Sequence, residues 1–73
     1  MTPKTLATVG SALFGPTWQT RLANAISVND RTVRRWASGE MSIPATLREE
    51  LLQIAGDRRQ QIDDAIHTLQ TEE

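Results

Sequence analysis

At 73 residues the chain has room for one domain, and a core of that size leaves stability marginal unless copies associate. It has no cysteine, which excludes disulfides and thiolate metal sites, and no apolar run near the ~20 residues that cross a bilayer. The net charge of −1 hides an asymmetry: residues 1–40 carry five basic and two acidic side chains, net +3, and residues 41–73 carry three against seven, net −4; this points to one surface facing an anion with the rest held away from it.

Punctuation residues cut the chain into four or five helical pieces, with no strand-like alternation and no internal repeat. Thr2-Pro3 is a helix start, threonine as cap and proline in the first turn, where its missing N–H costs nothing. Leu6, Val9 and Leu13 then share a face, Gly10 weakens the helix slightly, and Gly15-Pro16 stops it. Thr17 can cap a second helix with Trp18, Leu22 and Ile26 at four-residue spacing. Ser27-Val28-Asn29 breaks that pattern. Asn29 can cap a third helix with Val33, Trp36 and Ala37 on one face, ended by Gly39. Pro44 suits the first turn of a fourth helix, whose stripe Leu47, Leu51 and Ile54 is widened by Leu52 and Ala55. Gly56 ends or bends it. Residues 57–70 read as a fifth helix with Ile62, Ala65, Ile66 and Leu69 on one side, or as a continuation of the fourth. The fold class is therefore all-α: a single domain over 1–73, a compact bundle of four to five helices.

The third helix carries the functional signal. At about 100° per residue, Trp36 and Ala37 fall within about 60° of Val33, whereas Arg31, Arg34, Arg35 and Ser38 fall about 100–200° away. Three arginines project from one side of a helix whose other side is apolar. An α-helix fits the major groove of duplex DNA, where arginine binds guanine O6 and N7 in bidentate fashion, and arginine also suits phosphate. A plain solvated arginine face is the alternative for this helix taken alone.

The surroundings sharpen that reading. A helix with a small residue at its fifth position, a short turn, and a second helix with β-branched and aromatic core residues is the pattern of a helix-turn-helix, here over about residues 18–39. Ala23 must be small because the two helices cross beside it. The run QTRLANAISVNDRTVRRWASG, from Gln19 to Gly39, resembles the lambda-repressor-like, or Cro/repressor-type, helix-turn-helix family of DNA-binding proteins. The motif spans about a third of the chain and the helical layout extends the resemblance over nearly all of it. One departure is Ser27, at a turn position the family usually gives to glycine; in a left-handed conformation serine costs on the order of 1 kcal/mol more.

The resemblance implies roles residue by residue. Asp30, Arg31, Arg34 and Arg35 occupy positions that read base edges or touch adjacent phosphates. Gln19, Asn29 and Thr32 match phosphate contacts, and Arg21 on the exposed side of the second helix is a further phosphate candidate. Asp30 can accept from cytosine N4, or it can pair with Arg34 one turn on and fix the arginine's direction.

Other chemistry-bearing residues read as structural. The phase of Trp18 and Trp36 with Leu22, Ile26 and Val33 favours the core over base stacking. His67 has no partner at metal-ligand spacing, and Ser11, Ser27, Ser38 and Ser42 suggest no triad around it. Asp63 and Asp64 lie on different azimuths, and no phosphate-binding glycine loop is present. No enzyme, metal, cofactor or small-molecule ligand is expected. The stripe Ile62, Ala65, Ile66 and Leu69 either caps the core or forms a dimer seam.

The combined expectation is a sequence-specific duplex DNA-binding regulator, a repressor acting as a homodimer on a palindromic operator, cytoplasmic and encoded by a prokaryote or phage. The rival expectation is a helical protein-interaction module, antitoxin-like or adaptor, whose arginine face meets an acidic partner.

Overall fold

The computed structural model describes residues 1–72, and within them the chain forms four α-helices and no strand. These are α1 (Pro3–Phe14), α2 (Trp18–Ile26), α3 (Asp30–Ser38) and α4 (Leu47–Thr71). Each boundary has a local cause. Thr2 Oγ1 accepts the Thr5 N–H at 3.1 Å and Pro3 takes the first helical position, so α1 begins as the sequence implies. Gly15, at φ 83°, ends it.

At the end of α2, Ser27 adopts φ 59° and ψ 43°, left-handed backbone. The Val28 N–H reaches back to the Ala23 carbonyl at 3.0 Å and the Ser27 N–H to Asn24 at 3.4 Å, the double bond of a Schellman terminus. The chain thus leaves α2 in one residue and re-enters helix at Asp30, after Asn29 caps α3 by accepting the Arg31 N–H at 2.8 Å. Gly39, also left-handed at φ 84°, closes α3.

Two local expectations are corrected. Thr17 does not cap α2: its hydroxyl instead accepts from Arg21 Nε at 3.1 Å. Pro44 lies outside the fourth helix. Its carbonyl accepts the Leu47 N–H at 3.1 Å in a turn, and α4 starts only at Leu47. Of the two readings of residues 57–70, the continuation holds: α4 runs through Gly56 without a break to Thr71. An exposed glycine inside a helix costs about 1 kcal/mol relative to alanine, which neighbouring turns absorb without breaking the ladder.

The core is one cluster: Leu6 from α1, Trp18, Leu22 and Ala23 from α2, Val33 and Trp36 from α3, Leu47 and Leu51 from α4. Both tryptophans belong to it, as their phase requires. The helices α1, α2 and α3 pack on one another, and α4 adds its first two turns. Leu52, expected to widen the core-facing stripe of α4, is turned outward instead.

Gly10 has a role that helix propensity hides. A methyl group at that position would overlap the six-membered ring of Trp18, so the absence of a side chain lets the indole lie directly on α1. The long helix α4 runs in the same direction as α1. Arg48 and Leu52 lie beside Thr5 and Val9, and further along Arg58 donates to the Leu13 carbonyl at 2.8 Å and stands 5.7 Å from the Phe14 ring centre. α1 has no basic residue in its own last turn, and Arg58 supplies a cation there from another helix. From residue 59 onward every described residue of α4 is exposed. That half of the helix overhangs the three-helix body, giving the molecule its 51 × 21 × 21 Å extent.

Gly10, Gly56 and Ser27 respond differently to substitution. Gly10→Ala is expected to cost about 1–3 kcal/mol through overpacking against Trp18, whereas Gly56→Ala, with open space around it, should gain about 0.5–1 kcal/mol. Denaturant midpoints followed by circular dichroism check both; equal shifts would contradict the close approach at Gly10. By the same measurement Ser27→Gly should stabilise by on the order of 1 kcal/mol, because glycine adopts the left-handed backbone without the Cβ penalty.

Candidate nucleic-acid interface

The outward face of α3 is defined by what the inward face buries. Val33 and Trp36 are in the core and Ala37 packs against it, so Arg31, Arg34, Arg35 and Ser38 point to solvent. With Glu40, these four residues line one shallow surface depression of about 310 Å³. The three arginines predicted to act together are therefore adjacent. Asp30 in the first turn of α3 and Arg35 in the last match the polarity of the helix dipole.

Two ion pairs aim these side chains. Arg34 Nη1 lies 3.5 Å from Asp30 Oδ2, one turn away, which is the pairing expected of that carboxylate. Arg35 Nε lies 3.8 Å from Glu40 Oε2. Both pairs are solvent-exposed, so each contributes little to stability, about 0–1 kcal/mol, and either arginine can leave its partner for a stronger anion. No such pair holds Arg31 among the described residues.

Glu40 was missed by sequence reasoning. Its position follows from Gly39: the left-handed turn folds the chain back so that the Met41 N–H bonds the Arg35 carbonyl at 3.2 Å. Ser38 Oγ accepts the Glu40 N–H at 3.4 Å and donates to the Arg35 carbonyl at 3.1 Å. A reversal of the chain at glycine was legible; the proximity of the next carboxylate to Arg35 is its geometric consequence.

The predicted phosphate contacts do not form one cluster. Gln19, half-buried, lines a separate depression of about 290 Å³ with Pro16, Thr17, Trp18 and Thr20 at the start of α2. Arg21 is exposed and its Nε is tied to Thr17 one turn back. No side chain caps α2, and its first turn, Trp18 to Thr20, lies along that depression. Asn29 spends its amide oxygen on the α3 cap, and that bond leaves the two amide N–H donors unused. Thr32 is half-buried in the first turn of α3.

Among the described residues no group of three or more His, Cys, Asp or Glu side chains is placed to hold a metal ion, and no helix is long and apolar enough to cross a membrane. Comparison with known proteins gives no match: no family model, no curated protein and no solved structure matches the chain.

The exposure of both ion pairs sets their measurable strength. A double-mutant cycle on Asp30→Ala and Arg34→Ala should give a coupling below about 1 kcal/mol that shrinks further as salt is raised from 0.05 to 0.5 M, on the order of a threefold fall in screening length. A coupling of several kcal/mol would mean that the pair holds α3 in place rather than orienting one arginine.

Proposed function

We propose that this chain is a sequence-specific duplex DNA-binding regulator of the prokaryotic or phage type, a repressor that acts as a homodimer on a palindromic operator. The observation that carries the reading is the adjacency of Arg31, Arg34 and Arg35 on the solvent side of a helix whose opposite side is locked into the core by Val33 and Trp36. A rigid helix bearing a guanidinium row fits the major groove, where arginine distinguishes guanine by its O6 and N7 acceptors. The tight α2–α3 connection through left-handed Ser27 supports the helix-turn-helix assignment, as does the resemblance of residues 19–39 to the lambda-repressor-like family.

In this reading α3 is the recognition helix. Arg31, Arg34 and Arg35 approach base edges. Asp30 restrains Arg34, and Glu40 gives Arg35 a resting position until the groove supplies better acceptors. Gln19, the N-terminus of α2, Asn29, Thr32 and Arg21 anchor phosphates on either side, where backbone N–H groups and the helix dipole favour anions. The acidic residues of α4 are then repelled from DNA, which restricts docking to the α3 side.

Selection of bound sites from a random duplex library, followed by titration, tests this reading. A palindromic consensus is expected. Arg35→Ala should lose about 1–3 kcal/mol per half-site, mostly on the consensus. Arg21→Ala should weaken consensus and scrambled duplexes alike and flatten the dependence of log affinity on log salt by about one unit. Equal weakening of both duplexes by Arg35→Ala would make it a phosphate contact. No duplex affinity in parent or variants would turn the arginine face over to an acidic protein partner.

A further inference from the structure

The outward side of α4 carries a feature the DNA-binding reading does not use. Leu52, Ala55, Arg59, Ile62, Ile66 and Leu69 recur at alternating steps of three and four residues, the spacing of a coiled-coil seam. Four of these are large apolar side chains left in water: Leu52 is 58% exposed, Ile62 52%, Ile66 46% and Leu69 72%. Ala65 lies at the edge of the same stripe. The overhanging part of α4 spans roughly 20 Å, and a free helix of about a dozen residues is marginal in water without a packed face.

Next to the first half of the seam, the body of the protein presents a mostly apolar groove of about 310 Å³, formed by Met1 and Val9 with Leu51, Leu52 and Ala55 and flanked by Arg48. The second half of the seam has no such wall. Each molecule thus holds an open apolar groove at one end of its seam and a projecting apolar helix at the other. A two-fold pairing satisfies both at once.

We propose that two copies of this chain pair through α4 in antiparallel orientation, the projecting end of each helix lying in the groove of the other. The register follows from the seam. Leu52 faces the partner's Leu69, Ala55 the partner's Ile66, and Arg59 the partner's Ile62. Charge selects this direction. A parallel pair in register sets Arg59 against the partner's Arg59 and Arg48 against its own copy, and gathers both acidic C-terminal ends together. The antiparallel pair lays the Arg59 stem along the partner's Ile62 with its guanidinium beside the partner's Asp63, and brings Arg48 near the partner's Glu72. This specifies the homodimer of the DNA-binding reading, but it rests on α4 and its groove alone.

The absence of cysteine makes the test direct. Leu52→Cys and Leu69→Cys are introduced singly, both at exposed positions, and circular dichroism verifies the fold. The proteins are oxidised mildly, alone and as an equimolar mixture, without DNA. The mixture should give a covalent dimer on a non-reducing gel, and neither variant alone should. Sedimentation of the parent should show a dimer, and Ile66→Asp should weaken it at least about tenfold. Self-linkage of Leu69→Cys would overturn the proposal in favour of parallel pairing. A parent sedimenting at the 8.1 kDa monomer mass, or a dimer that the mixture fails to cross-link, would overturn it outright. Because no DNA is present, a linked dimer that binds no duplex would leave this pairing standing and remove only the DNA-binding reading; a monomer that binds duplex would do the reverse.

Discussion

Burial of the Val33–Trp36 face fixes the rotation of α3 about its own axis, and every statement about the outward arginines depends on that rotation. A helix of this kind has no intrinsic reason to present one side. Its presentation is set by which side chains lose water, and here a branched aliphatic and an indole enter a cluster with Leu6, Leu22 and Leu47. The cost of exposing either is several times larger than the strength of an exposed ion pair. Packing therefore decides where the arginines point, and Asp30 and Glu40 adjust only the direction of each guanidinium.

That packing is propagated by small residues. Gly10 lets Trp18 lie on α1, and Ala23, fully buried on α2, puts only a methyl group into the core there. With that contact made, the body needs only the first two turns of α4 to complete it. The remainder of α4 is free to serve another purpose, which is why one helix can be half core element and half projecting surface.

What was legible in the sequence was what is encoded within a few residues. The caps at Thr2 and Asn29, the stops at Gly15 and Gly39, and the two faces of α3 all follow from residue types at fixed offsets. At Ser27 the resemblance supplied only the turn position and the cost a left-handed serine would carry; the residue does adopt that conformation. What escaped depends on distant partners or on competition between acceptors. Gly10 reads as a weak helix position until Trp18 is placed beside it. Thr17 had two possible donors, the α2 backbone and Arg21, and spacing alone does not rank them. Gly56 left residues 57–70 open to two readings, a separate helix or a continuation, because a lone glycine inside a helical pattern does not decide between them; α4 continues. Leu52 was assigned inward because a three-four pattern does not say which of two apolar stripes meets the body.

Arg58 gives this arrangement a mechanical meaning. Its bond to the Leu13 carbonyl and its place by Phe14 make it the last point at which α4 is held to the body. Beyond that fulcrum the helix is a lever arm of roughly 20 Å, and a tilt of about 10° at Arg58 displaces its tip by about 3.5 Å. Arg58 therefore sets how precisely anything carried on the tip of α4 is placed relative to the three-helix body.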